Sequence, residues 1–186
     1  MNLPDKQYSI IYADPPWTFS VWNKDKSDRY VGHKYDLMTV DEICSMPIKN
    51  ICSDNAVLFI WVTFPNLLHG LQTIDAWGFT YKTCAFTWVK KKKKSEGWHF
   101  GMGYYTRANA ELCLLATKGK VLERKSHSVP QIIDAPVAKH SEKPKIAADR
   151  IVELFGDIPR IELFARDKKN GWDSWGNEIV FDQVEK

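Results

Sequence analysis

An acid, two prolines and an indole stand together at Asp14-Pro15-Pro16-Trp17. Proline has no backbone N–H, so the pair makes a stiff turn rich in acceptors and poor in donors. The Asp14 carboxylate and the Pro15 carbonyl can both point at one small donor, with the flat face of Trp17 beside them. A group that offers two N–H bonds at the edge of a flat ring fits this frame. The exocyclic amine of a nucleobase is such a group, and aromatic side chains stack on bases. The same four residues also fit a rigid strand-to-loop turn whose tryptophan belongs to the core.

These residues need elements to position them. The apolar run from Tyr8 to Tyr12 reads as a buried strand, which puts Asp14 at a strand's C-terminal end, the edge where open α/β sheets bind ligands. Further strands are expected over 56–62, within 79–89, and over 111–117, 131–135 and 161–165. A helix is expected from Thr39 as N-cap through Met46, with Glu42 three residues on completing a capping box. A second spans 66–77, with Leu67, Leu71 and Ile74 on one face and Gly78 as its stop. A third spans 142–155, with Pro144 in its first turn, an apolar stripe of Ala147, Ile151, Leu154 and Phe155, and Gly156 at its end. Lys143 stands at the start of this helix, where a cation opposes the helix dipole, so it is not placed there for helix stability. Alternating strands and helices imply an α/β sheet with helices on both faces.

The bulk properties bound the reading. The 186 residues are read as one domain, 1–186, large enough for a core. A net charge of +3 permits a polyanionic partner without demanding one. No apolar run approaches the length of a membrane span, and the polar start, Met1 to Lys6, is not a signal peptide. Cys44, Cys52, Cys84 and Cys113 lack metal-like spacing and sit mostly among apolar residues, so reduced core thiols are expected. The histidines form no HxH or HxxxH pair, and no structural metal is expected. The absence of GxGxxG disfavours a dinucleotide-binding enzyme, and no Walker A pattern occurs.

Two polar stretches read as loops. One runs from Thr18 to Lys34. The other follows the lysine run Lys90–Lys94 and carries Trp98, Phe100, Tyr104 and Tyr105 among glycines. Lysines followed by aromatics suit nucleic acid, because cations neutralise phosphate and rings stack bases; a solvated charged loop is the plainer alternative. Arg107 and Asn109 either contact a target strand or cap the strand that follows.

The chain resembles the N6-adenine methyltransferase family built around a DPPW motif, which includes the catalytic subunit of the messenger-RNA adenosine methyltransferase and many phage and bacterial DNA adenine methyltransferases. Ordered blocks carry the resemblance. They are Tyr35 with Met38–Ile43, Leu58–Thr63, Trp88–Lys90, Glu111–Leu114 with Lys118-Gly119, His140–Pro144, Ile161–Arg166 and Trp175–Glu178. The resemblance implies a Rossmann-like class I methyltransferase fold, circularly permuted, with a mixed sheet and with Asp14 and Arg166 on neighbouring strand ends. It implies S-adenosyl-L-methionine as cofactor, with Asp14, Lys143, Arg166, Gly176, Asn177 and Glu178 binding it and Lys143 holding its carboxylate. Asp14, Pro15, Pro16 and Trp17 would be catalytic. Trp17, Tyr35, Lys90, Lys91, Tyr104 and Arg107 would meet the substrate. Asp167 to Asn170 departs from the messenger-RNA enzyme's pattern, so no cofactor role is carried onto Asn170. The compact chain looks like the phage and bacterial members, which implies adenine methylation of DNA in a bacterial or phage-infected cytosol. RNA adenosine is the alternative substrate, and a non-catalytic nucleic-acid-binding subunit the third reading. No separate target-recognition domain is expected, while a homodimer or a partner subunit stays open.

Overall fold

The computed structural model describes residues 2–18, 37–138 and 142–177. Tyr35, Glu178, His140, Ser141 and nearly all of the Thr18–Lys34 loop lie outside the described residues. The strands are β1 (Tyr8–Ala13), β2 (Cys52–Val62), β3 (Thr80–Lys91), β4 (Ala110–Lys118), β5 (Ile132–Pro136), β6 (Arg160–Leu163) and β7 (Asp173–Trp175). The helices are α1 (Val40–Ser45), α2 (Leu67–Ala76) and α3 (Lys145–Phe155). Among the described residues the strands form one mixed sheet in the order β5-β3-β4-β2-β1-β6-β7. β4 pairs antiparallel with both β2 and β3, and the remaining pairings are parallel.

β1 and β2 are near-continuous apolar runs because both of their faces are covered. Successive side chains point to opposite sides. Ile11, Ala13, Leu58 and Ile60 enter one core with Ile43 of α1 and Ile74 of α2. Ile10, Tyr12, Phe59 and Trp61 enter the other with Ala147, Ile151 and Phe155 of α3. The sheet therefore carries helices on both faces, as the alternation of elements implied. The four cysteines are free thiols, with Cys52 and Cys113 buried. Among the described residues no helix is long and apolar enough to cross a membrane.

The capping box at Thr39 forms as expected: the Glu42 N–H donates to Thr39 Oγ1 at 3.2 Å, and the Thr39 N–H donates to Glu42 Oε2 at 2.7 Å. α2 begins after a 3-10 turn over Phe64–Asn66, and Gly78 ends it at φ +79°. α3 is shorter than the sequence suggests. Pro144 is its N-cap in extended backbone (φ −58°, ψ 126°), not a first-turn residue. A proline disfavours helical backbone in the residue before it, so Lys143 stands outside the helix. β3 extends to Lys91, so the lysine run starts inside the sheet. β6 stops at Leu163 because Phe164 adopts φ +60°, a conformation that bulky residues rarely take.

Candidate active site

Five chain segments converge on one sheet edge. Ala13 pairs with Ile60 on one side and with Leu163 on the other, so the exits of β1, β2 and β6 lie together. β4 runs the opposite way, and its start meets the same edge, with Leu112 beside Val62 and Glu111 beside Trp88. Asp14 leaves β1 there, and Lys143 approaches from the segment preceding α3.

The Asp14–Trp17 turn is pinned by its own backbone. The Trp17 N–H donates to the Pro15 carbonyl at 2.8 Å, and the Met38 N–H donates to the Pro16 carbonyl at 3.0 Å. The Trp17 indole N–H donates to the Trp61 carbonyl at 2.9 Å. Its ring is 4% exposed and packs in the core shared with α1 and α2. Trp17 thus locks the turn onto β2 and, in this structure, offers no face to a base. The Pro15 carbonyl keeps one lone pair beyond the one Trp17 uses.

Beside this turn lies a row of alternating charges. Lys143 Nζ is 2.7 Å from Asp14 Oδ1 and 2.8 Å from Oδ2. The same ammonium is 3.3 Å from Glu111 Oε2, and the other Glu111 oxygen pairs with Lys90. Two indoles line the row: Lys143 lies 5.8 Å from the Trp61 ring centre and Lys90 lies 5.0 Å from that of Trp88. Trp61 is steadied from below by its indole N–H, which donates to the Tyr12 hydroxyl at 2.7 Å.

Burial alone would depress the Lys143 ammonium, but the Asp14 and Glu111 carboxylates outweigh it and hold its pKa above normal. Burial alone would raise Glu111, but Lys143 and Lys90 outweigh it and hold it below the usual range. Asp14 goes the other way. Burial raises its carboxyl, Lys143 opposes this without cancelling it, and the Glu111 charge adds to the rise. The row thus shifts its two carboxylates in opposite directions, Asp14 upward and Glu111 downward.

A cavity of about 430 Å³ opens between the start of α3 and the exit of β6. Asp14, Lys143, Glu162, Phe164, Arg166 and Lys169 are on its wall. Glu162 is buried and pairs with Lys169, whose ammonium also lies 5.9 Å from the Tyr12 ring centre. Burial raises the Glu162 carboxyl, and Lys169 opposes the rise. Its volume falls within the range of small-molecule sites. Its wall mixes cations that suit an anionic group with carboxylates that suit hydroxyl or ammonium donors.

The other anticipated residues are distributed unevenly. Gly176 lies behind the cavity wall. A Cβ there would sit 2.2 Å from the Ala165 carbonyl oxygen and 2.8 Å from its nitrogen, so glycine lets the residue after β7 lie against the β6 exit. Gly176→Ala should push Phe164–Arg166 outward and destabilise the fold by about 1–3 kcal/mol, read by urea denaturation; an unchanged midpoint would remove this account. Asn177 is exposed. Lys90 belongs to the charge row instead of facing solvent, and Lys91 pairs with Asp134 of β5 at 2.5 Å. Arg107 donates to the Gly101 and Phe100 carbonyls at 2.8 and 3.3 Å. Of its two sequence readings, contact with a target strand or strand capping, neither describes this role as a loop clamp. Tyr104 is exposed. Sequence reasoning passed over Glu111, Glu162 and Lys169. The first two carried a signal, an acid inside an otherwise apolar strand. Asn170, given no role from sequence, also lines the cavity.

Residues 8–178 match the MT-A70 family. The chain is 34% identical over 200 residues to the Type II methyltransferase M.MunI of a Mycoplasma species, a match that covers 99% of this chain and 83% of that protein. It is 26% identical to the human N(6)-adenine-specific methyltransferase METTL4 over 94% of this chain and 38% of that protein. It is 26% identical to the human N(6)-adenosine-methyltransferase catalytic subunit METTL3 over 93% of this chain and 28% of that protein. The chain thus spans well under half the length of the two human relatives.

Proposed function

The chain belongs to the MT-A70 family, and from that premise we propose that it transfers a methyl group from S-adenosyl-L-methionine to the N6 amine of adenine in DNA. The observation that carries the reading is the Asp14 carboxylate beside the Pro15 carbonyl, at the rim of a cavity whose wall includes Lys143 and Arg166. DNA is favoured because the Type II methyltransferase is matched over most of its own length. On this reading residues 1–186 act as one catalytic domain in the cytosol of a bacterium or phage-infected cell. The circularly permuted chain order is part of the same proposal.

The cavity residues fit the cofactor. Lys143 and Arg166 suit its carboxylate, and the buried Glu162 is an acceptor for a hydroxyl or an ammonium group. When bound, S-adenosyl-L-methionine supplies a methyl already activated by its sulfonium. The chain's own task is then positioning and electrostatics. Asp14 and the free lone pair of the Pro15 carbonyl accept the two amine hydrogens and direct the nitrogen lone pair into the cavity. As the new N–C bond forms and the donor's S–C bond breaks, its electron pair staying on sulfur, the amine must release one proton. Asp14, whose carboxyl is made more basic by burial, is the group placed to take it. Pro16 and Trp17 keep the turn rigid, one through Met38 and the other through Trp61. Lys143 has two claims on it, the Asp14 carboxylate and the anionic end of the ligand.

The test is nucleoside mass spectrometry after incubation with S-adenosyl-L-methionine and unmethylated single-stranded DNA, duplex DNA or RNA. N6-methyldeoxyadenosine in either DNA sample is the expected result. Product from RNA alone would replace the DNA reading with the RNA one. No product anywhere, with no cofactor binding by calorimetry, would leave a non-catalytic nucleic-acid-binding subunit as the better account.

A further inference from the structure

The connection from β3 to β4 stands at the site's edge, and it is a built structure. The Lys92 N–H donates to the Gly97 carbonyl at 3.1 Å and the His99 N–H to the Lys90 carbonyl at 2.7 Å. Farther out, the Gly101 N–H donates to the Ala108 carbonyl at 2.6 Å, and Arg107 ties down the carbonyls of Phe100 and Gly101. Glycine is needed at 101 and 103, where a Cβ would meet the Ala108 and Thr106 carbonyl oxygens at 2.9 and 2.2 Å. The loop packs its backbone against itself and turns its side chains outward.

Those side chains alternate. Trp98, Phe100 and Met102 are between 45% and 73% exposed, whereas His99 and Gly101 between them are half-buried; beyond them Gly103, Tyr104 and Tyr105 are all exposed. Alternate residues of an extended segment share one face. Trp98, Phe100, Met102, Tyr104 and Tyr105 together make an exposed apolar patch of the kind that marks an interaction site. In extended chain alternate residues are about 6.6 Å apart, twice the rise per residue. Stacked bases along a duplex strand are spaced by about 3.4 Å, and their faces are hidden. Unstacked bases of an open strand can meet such a row. Lys92, Lys93 and Lys94 stand exposed at its foot, where phosphates of that strand need neutralising.

We infer that this row is a stacking surface for the unpaired nucleotides flanking the target adenine, so that the chain engages single-stranded or locally opened nucleic acid. The inference rests on the nucleic-acid part of the proposed function. It assigns Trp98, Phe100 and Met102 to recognition, and makes Arg107 a positioning residue that shapes the loop instead of a phosphate contact.

The experiment is fluorescence anisotropy with labelled oligothymidylate, which contains no target base, alongside a duplex of equal length. Wild-type protein should bind the single strand more tightly. Trp98→Ser and Phe100→Ser should each weaken that binding by about 5- to 150-fold, with the melting temperature unchanged because both rings are exposed. Duplex affinity should change far less. In the methylation assay KM for single-stranded DNA should rise with kcat nearly constant. Arg107→Ala should lose single-strand affinity, and Arg107→Lys should restore it in part. Equal loss on both nucleic acids, or none on either, would overturn the proposal. So would normal nucleic-acid binding with altered self-association in sedimentation, which would make the row a protein interface. Methylation of DNA by a protein that does not bind oligothymidylate would overturn this inference and leave the proposed function standing.

Discussion

Asp14→Asn should lower methyl transfer by about 1,000-fold or more while the protein still folds. The substitution keeps the size of the side chain and removes its charge. An amide oxygen remains as one acceptor, but the amide nitrogen would face the amine's own N–H bonds. Removing one preorganised electrostatic group from an active site costs about 100- to 1,000-fold, and the lost proton acceptor adds to that. Breaking a buried ion pair costs about 3–5 kcal/mol. Here the loss should lie at the low end, because Lys143 retains Glu111 at 3.3 Å. In the wild type the active form is the carboxylate, so kcat should fall as pH drops through the raised pKa of Asp14. The residual rate of Asp14→Asn should lack that acid limb. Single-turnover rates across pH, with circular dichroism as the folding control, check both points. A rate within tenfold of wild type would remove Asp14 from the chemistry.

Lys143→Met should have a different signature, affecting stability and cofactor binding together. It leaves the half-buried Asp14 and the buried Glu111 as neighbouring carboxylates without the ammonium between them, and one of them must take up a proton. The expected loss is about 3–5 kcal/mol of stability and at least about 30-fold in cofactor affinity. The pH dependence has a definite sign. The Lys143 pKa is raised above its unfolded value of 10.5 because the two carboxylates outweigh burial. Its contribution is therefore complete below pH 10.5 and is lost as pH rises through the folded value. Glu111 is held below its unfolded value of 4.5, so its contribution is present above pH 4.5 and is lost as pH falls through the folded value. Wild-type melting temperature should thus decline at both extremes, and the declines should be shallower in Lys143→Met. A parallel pair of curves would show that the row does not govern stability.

Much of this site was legible in the sequence because its parts are local. An acid after a buried strand and a lysine at an expected helix start each carry their own signal, whereas Arg166 was reached only through the family resemblance. The two core faces were legible for the same reason, since Ile10 to Ala13 alternate between them. Non-local partners were harder to read. Glu111 becomes a site residue only because β4 runs against its neighbours and brings its first residues to the edge where the others end. Lys90 looked like a solvent-facing cation until that strand supplied a carboxylate. The burial of Trp17 depends on a carbonyl 44 residues away, and no pattern around residue 17 encodes it. The start of α3 was misplaced by the local ambiguity of proline, which suits both an N-cap and a first turn.

The antiparallel pairing of β3 with β4 also bears on how the protein can change. Lys90 and Asn109 are joined by a backbone hydrogen bond of 2.8 Å, so the connection from 92 to 108 departs from and returns to one fixed point. Doubling the length of such a segment costs only about 0.6 kcal/mol in closure entropy. Its content can therefore be exchanged like a cassette, provided Lys90 and Glu111 stay at its foot. A lineage can then change the exposed aromatic and lysine residues of this segment without disturbing the charge row or the Asp14 turn.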